Sequence, residues 1–321
     1  MVDIHFCSTQ ILHCFELSVM ENTILTIQGV SKFYTGKTAL NKVSLNIPKA
    51  SIYGLLGPNG AGKTSLIRII NQITQADEGS VLFKGQPLQS EHIRHIGYLP
   101  EERGLYKKLK VQDQLIYFAR LRGMTYKEAQ EKAAFWLKKM KLYDVRAKKI
   151  EELSKGMQQK IQFIVAVIND PELLILDEPF SGFDPVNAEL LTEIILELKQ
   201  QGTTIIFSTH RMESVEKLCD YMALIHLSEK ILDGKVSDVK QTFKTDTFEI
   251  TSQKALVFNH PQISVIKTGT SDSGFPTYTL KLNGISHNDT IQYAMQQSEL
   301  IGFQQFMPSI HDIFIQLVSQ N

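Results

Sequence analysis

The chain has 321 residues, 43% of them hydrophobic, and its 34 basic side chains balance its 34 acidic ones to a formal net charge of zero. That length and apolar content suffice for one large or two medium cores and exclude a disordered chain. The charge balance leaves no whole-chain field to attract nucleic acid or an anionic membrane surface, so no nucleic-acid partner is expected and any charged partner must be recognised locally.

Residues 1–19, MVDIHFCSTQILHCFELSV, have neither the basic start nor the long apolar stretch of a secretory signal. Met20 precedes a segment that reads at once as a strand, so Met20 is expected to be the natural start and the preceding residues to carry no function. Cys7, Cys14 and Cys219 leave one thiol unpaired and show no zinc-type spacing, which makes the cytosol the default compartment. The longest uninterrupted apolar run, FIVAVI, is far short of the roughly 18 residues of a membrane span.

Strands are expected at ILTIQGV, SLNIP and SIYGLLG, then a helix from Lys63, then strands at SVLFKG and HIGYLP. Between about Leu105 and Lys149 the strand signal vanishes and helix formers such as KEAQEKAAFWLKKMKL take over. From Glu101 to Lys160 there are 16 basic residues against 8 acidic ones. Such a surplus fits a solvated helix face first, with a surface near anionic lipid or an acidic partner as the alternative. Strands return at ELLILDE, TTIIFSTH and YMALIHL, each followed by helical or turn signals. Continuous apolar strands alternating with helices predict an α/β sheet covered on both faces.

After DGKVSDVKQTFKTD the texture changes to TFEI, ISVIKTG and TYTLKLN, a helix from about Asp289, then LIGFQQFM and a last helix SIHDIFIQLV. This predicts a small α+β domain over residues 239–321. Ser309 and Asp312 have capping-box spacing, and the isolated His287 and His311 read as surface or packing residues.

Several of these elements end in residues with chemistry. GLLGPNGAGKTSL holds Gly57, Gly62, Lys63 and Thr64 as G-x-x-x-x-G-K-T between a strand and a helix, with Asn59, Gly60 and Ser65 in the same loop. Glycines let backbone N–H groups turn inward around phosphates at a helix N-terminus, Lys63 adds positive charge, and Thr64 offers a hydroxyl to Mg²⁺. The strand ELLILDE ends in Asp177, placed to hold Mg²⁺ through water, and Glu178, placed to accept a proton from the water that attacks a γ-phosphate. IIFSTH ends in His210, which is either a packed or solvated residue or a hydrogen-bond donor to a transferring phosphate. EELSKGMQQK carries Ser154, a natural cap for a helix through IQFIVAVI.

In this order, GPNGAGKT, YLPE, LSKGMQQK, LLILDEP, SGFD and STH resemble an ATP-binding cassette (ABC) ATPase from about Thr23 to Lys235. The resemblance implies a P-loop NTPase fold of class α/β, a mixed sheet with a helical subdomain at about 103–165 inside an ATPase domain at 20–238. It further implies ATP and Mg²⁺ as ligands, Tyr34 stacked on adenine, Glu101 as an ATP and metal residue beside Thr64 and Asp177, and Asp184 in the D-loop. Two ATPase domains, as a homodimer or with a paralogue, would meet head to tail. Ser154, Lys155 and Gly156 of one would then reach the phosphate held by the other.

Three residues depart from the family pattern. Lys155 stands at a glycine position and Met157 at a glutamine position of the usual LSGGQ signature, and Glu101 replaces the glutamine that usually follows YLP. The extra carboxylate predicts slower turnover or an altered metal preference. YLPEERGLYKKLKVQDQL and MPSIHDIFIQLV are most similar to ATPases of bacterial ABC-2-type exporters, the sodium-efflux and drug-export branch. That likeness implies a separate polytopic membrane permease and a place on the cytoplasmic face of a bacterial membrane. The alternatives are a soluble ABC ATPase acting on ribosomes or DNA and a nucleotide-binding regulator.

Overall fold

A computed structural model describes residues 22–102 and 104–319. The expectations for residues 1–19, with Cys7 and Cys14, lie outside the described residues. The chain divides into two compact units, one up to Val236 and one from Ser237.

In the first unit, β1 (Thr23–Tyr34), β2 (Lys37–Pro48), β4 (Glu78–Phe83) and β5 (Gln86–Pro87) form an antiparallel sheet in the order β2-β1-β4-β5. A second sheet runs β10-β9-β3-β8-β7-β6, from β3 (Ile52–Leu56), β6 (Ile96–Leu99), β7 (Leu173–Asp177), β8 (Thr204–Thr209), β9 (Tyr221–His226) and β10 (Glu229–Lys235). Its pairs are parallel except β9 with β10. Every residue of β3, β7 and β8 is buried, as continuous apolar strands in a helix-covered parallel sheet require. Helix α1 (Lys63–Ile70) sends Leu66, Ile67, Ile69 and Ile70 into a core shared with Leu25, Ile27, Leu40 and Val43 of the antiparallel sheet and with Leu55 and Ile175.

The tract between β6 and β7 is helical: α2 (Val111–Leu121), α3 (Tyr126–Lys139) and α4 (Lys155–Val167). Thr125 starts α3 with a capping box, accepting from Glu128 N while the Glu128 carboxylate accepts from Thr125 N. Helices α5 (Pro185–Gln200) and α6 (Met212–Leu218) follow β7 and β8. Among the described residues no helix is long and apolar enough to cross a membrane.

Helix α7 (Val236–Thr242) begins at the division. The second unit has β11 (Thr247–Ser252), β12 (Ile263–Thr270), β13 (Pro276–Leu282), α8 (His287–Met295), β14 (Leu300–Gln305) and α9 (Ile310–Ser319), with an antiparallel sheet ordered β12-β13-β11-β14. Alternation sets its core: Phe248 and Ile250 join Tyr278, Leu280, Leu282 and Ala294. Helix α8 starts two residues earlier than the expected Asp289, because Ser286 caps it by accepting from Asp289 N at 3.1 Å. Asp289 thus belongs to the cap rather than the start. The His287 ring lies 4.4 Å from that of Phe248, centroid to centroid.

Candidate functional site

Four parallel strands end at one level. Across the sheet Leu99 pairs with Leu176, Asp177 with Ser208, and Leu56 with Thr209. The next residues on these strands are Pro100 and Glu101, Glu178, His210 and Gly57, so the carboxyl ends deliver four loops to one edge.

The loop after β3 is shaped by glycine. Gly62 has φ +117°, and a Cβ there would lie 2.2 Å from the Ala39 carbonyl oxygen; at Gly57 it would lie 2.2 Å from that of Ile225. Gly62 caps α1 with no side chain, leaving the helix's first N–H groups open towards the loop. Lys63 is buried at 6% exposure, and its Nζ donates to the carbonyls of Gly57 (2.6 Å) and Pro58 (3.1 Å). Burial pulls the Lys63 ammonium below its ordinary range, and the nearby carboxylates of Glu178, Asp177 and Glu101 act against that pull.

Tyr34, Asn59, Gly60, Gly62, Lys63, Thr64, Ser65, Glu101, Asp177 and Glu178 all line one cleft of about 330 Å³, together with Lys37 and Ala39. Tyr34 and Lys37 face each other where β1 turns into β2. The sequence reading missed Lys37; its signal was the tight turn after Tyr34, which returns the third following residue to the same edge.

Asp177 is 3% exposed. Burial pushes its carboxyl above the usual range, Glu101 and Glu178 add to the rise, and Lys63 offsets part of it. Glu178 has a left-handed φ of +49°, uncommon outside glycine. Its Oε1 accepts from His210 N at 2.8 Å and lies 2.6 Å from His210 Nδ1, while Thr209 Oγ1 donates to Oε2 at 3.2 Å. His210 therefore reaches the cleft through Glu178, with its own side chain half exposed.

Ser154, Lys155 and Gly156 do not line the cleft. Ser154 caps α4, accepting from Met157 N at 3.3 Å, and both Ser154 and Lys155 are exposed. Asp184 caps α5, accepting from Asn187 N at 3.0 Å, and the Asn187 bonds hold its carboxyl below the ordinary range. Among the described residues no group of three or more His, Cys, Asp or Glu is arranged to hold a metal ion.

Residues 40–181 match the family described as ABC transporter, and residues 234–318 match the ATP-binding protein DrrA1-3-like C-terminal domain. The uncharacterized ABC transporter ATP-binding protein YhaQ of Bacillus subtilis (strain 168) is 44% identical over 299 residues, covering 92% of this chain and 98% of that protein. The lantibiotic transport ATP-binding protein SrtF of Streptococcus pyogenes is 36% identical over 65% of this chain and 90% of its own length. The linearmycin resistance ATP-binding protein LnrL of Bacillus subtilis is 34% identical, covering 70% of this chain and 73% of that protein. A solved structure of the ATP-binding subunit of an ABC transporter superposes with a TM-score of 0.65 at 29% identity, over 69% of this chain and 93% of the other.

Proposed function

Because this chain belongs to the ABC transporter ATP-binding subunits and carries a DrrA-like C-terminal domain, we propose that it works as a head-to-tail pair closing on two Mg-ATP to drive export through a separate membrane subunit. ATP hydrolysis is the activity of the family. The observation that carries the reading is a division of labour. Phosphate-loop and carboxylate residues share one cleft, whereas Ser154, Lys155 and Gly156 lie outside it, with Ser154 and Lys155 exposed and Gly156 half-buried, available to the cleft of a second ATPase domain.

Within the cleft, the open N–H groups of α1 and Lys63 would hold the phosphates, with Thr64 and Ser65 at the first turn and Asn59 and Gly60 in the loop. Tyr34 would stack on the base. Glu178 would take the proton of the attacking water, and His210, bonded to it, would orient that carboxylate and reach the γ-phosphate. The oxygens of Thr64, Asp177 and Glu101 suit Mg²⁺, which needs few protein ligands beside phosphate and water. Burial first, and then the neighbouring Glu101 and Glu178 carboxylates, raise the Asp177 carboxyl, and a bound cation would oppose all three. When bound, the ion would neutralise charge on the β- and γ-phosphates.

The membrane partner would sit on the helical tract. Tyr98, Pro100, Leu105 and Phe118 line a groove of about 310 Å³, and Tyr106, Tyr117 and Leu121 stand exposed on the same helical tract, where basic residues outnumber acidic ones. An amphipathic, acidic segment of a permease on the cytoplasmic face fits this surface. Relatives named for lantibiotic transport and linearmycin resistance support export as the direction.

Phosphate release from Mg-ATP and sedimentation of Glu178→Gln test the reading together. The amide keeps the carboxylate's shape without its basicity, so turnover should fall about 100-fold or more while ATP drives the protein into dimers. Wild-type turnover in the variant, with monomers at saturating ATP, would refute it.

A further inference from the structure

Helix α4, capped by Ser154, presents three glutamine amides that each hold a loop. Gln158 Nε2 donates to the carbonyls of Ile150 and Leu153, and Gln159 Nε2 to that of Ser181. Gln162 Nε2 donates to the carbonyls of Pro100 at 3.1 Å and Glu102 at 2.9 Å. Both protons of this one amide are therefore spent on the two carbonyls that stand on either side of Glu101.

Gln162 is 6% exposed and sits between Ile161 and Phe163, both fully buried. An amide there must be hydrogen-bonded to be tolerated, and an apolar residue would fill the position at lower cost. What the amide adds is location: residues 101 and 102 lie in neither helix nor strand, so their backbone has no ladder of its own to fix it. Glu101 nevertheless lines the cleft and acts electrostatically on Lys63 and Asp177.

We propose that Gln162 is the positioning residue for Glu101: its amide clamps the backbone on both sides of that carboxylate and makes the loop follow the helix that carries Ser154. Eight residues of α-helix separate Ser154 from Gln162, about 12 Å along a rigid axis. Engagement of Ser154 with a second domain's phosphate is thereby felt at Glu101 of its own cleft. The inference rests on the proposed place of Glu101 beside the nucleotide.

The test is a double-mutant cycle on the full chain, with kcat and KM for Mg-ATP measured for wild type, Gln162→Met, Glu101→Ala and the pair. Methionine keeps the volume and removes both donors. The expected result is a fall in kcat of about ten-fold for Gln162→Met, with KM changed by less than about two-fold. In the Glu101→Ala background the same substitution should change kcat by less than about two-fold, because there is no carboxylate left to position. Losses that multiply in the double variant, or a wild-type kcat in Gln162→Met, overturn the proposal. Unfolding midpoints are read alongside; should Gln162→Met fail to fold, Gln162→Glu has the same shape, sets an acceptor against the two carbonyls, and runs the same cycle. Wild-type kinetics in Glu101→Ala alone would overturn the role of Glu101 and the inference with it, whereas an impaired Glu101→Ala with multiplying losses removes the inference alone.

Discussion

Asp177 is held in a place its charge disfavours. It ends a strand of leucine and isoleucine, and burial raises its folded pKa above the unfolded one. Such a group binds protons more readily folded than unfolded, so its contribution stabilises below the unfolded pKa and is lost as pH rises through the folded one. At neutral pH Asp177 therefore costs stability in the nucleotide-free protein. Asp177→Asn should raise the melting temperature by about 2–4 °C while removing Mg²⁺-dependent hydrolysis. Calorimetry without nucleotide, set beside phosphate release, checks it; a lower melting temperature would show that the carboxylate is compensated by neighbours. Gly62 marks the opposite kind of constraint. Gly62→Ala drives a methyl against the Ala39 carbonyl at a φ of +117°, and folded yield should collapse.

At the scale of elements, α4 caps itself at Ser154 and, in the proposed pair, would have a second duty there. Ser154 caps it through a 3.3 Å bond to Met157 N, and the exposed side of the same hydroxyl is available to a phosphate. Capping alone is worth about 1 kcal/mol. Ser154→Ala should therefore lower stability by about that amount and cut hydrolysis by about ten-fold or more, a separation that urea unfolding and kinetics reveal. Unchanged turnover would leave only the cap. Local pattern announced this helix and its cap. It did not announce β2 in full, expected at SLNIP and observed from Lys37, nor β10, whose polar residues Glu229–Lys235 become a strand by pairing antiparallel with β9. Both are decided by a neighbour strand rather than by intrinsic preference.

For the whole molecule, the exposed aromatic and aliphatic surface of the helical tract is the feature that a membrane partner should explain. Tyr117 is 43% and Leu121 64% exposed, so Tyr117→Asp and Leu121→Asp spare the buried core, although Tyr117→Asp removes ring contacts with Tyr106 and Phe118. Together they should abolish co-purification of a polytopic membrane protein from mildly solubilised membranes and leave ATP-dependent dimerisation of Glu178→Gln unchanged. Undiminished capture would move the docking surface elsewhere. Capture of ribosomes or DNA in place of a membrane protein would replace export by a soluble mechanical role.

The sequence by itself determined the α/β class and the family, and nominated the candidate site residues, because those depend on short contiguous patterns: apolar runs, a glycine-rich turn, acids at a strand end. It also brought Tyr34, Lys63, Glu101, Asp177 and Glu178 forward one motif at a time. The tertiary structure alone decided that they meet, through the register that sets Leu99, Leu176 and Thr209 at one edge of a sheet whose strands lie far apart in the chain. It alone revealed Lys37 at the cleft, the tie between Glu178 and His210, and the clamp of Gln162 on the Glu101 loop. Those are contacts across 32 to 62 positions for the hydrogen bonds, a separation at which no local periodicity carries a signal.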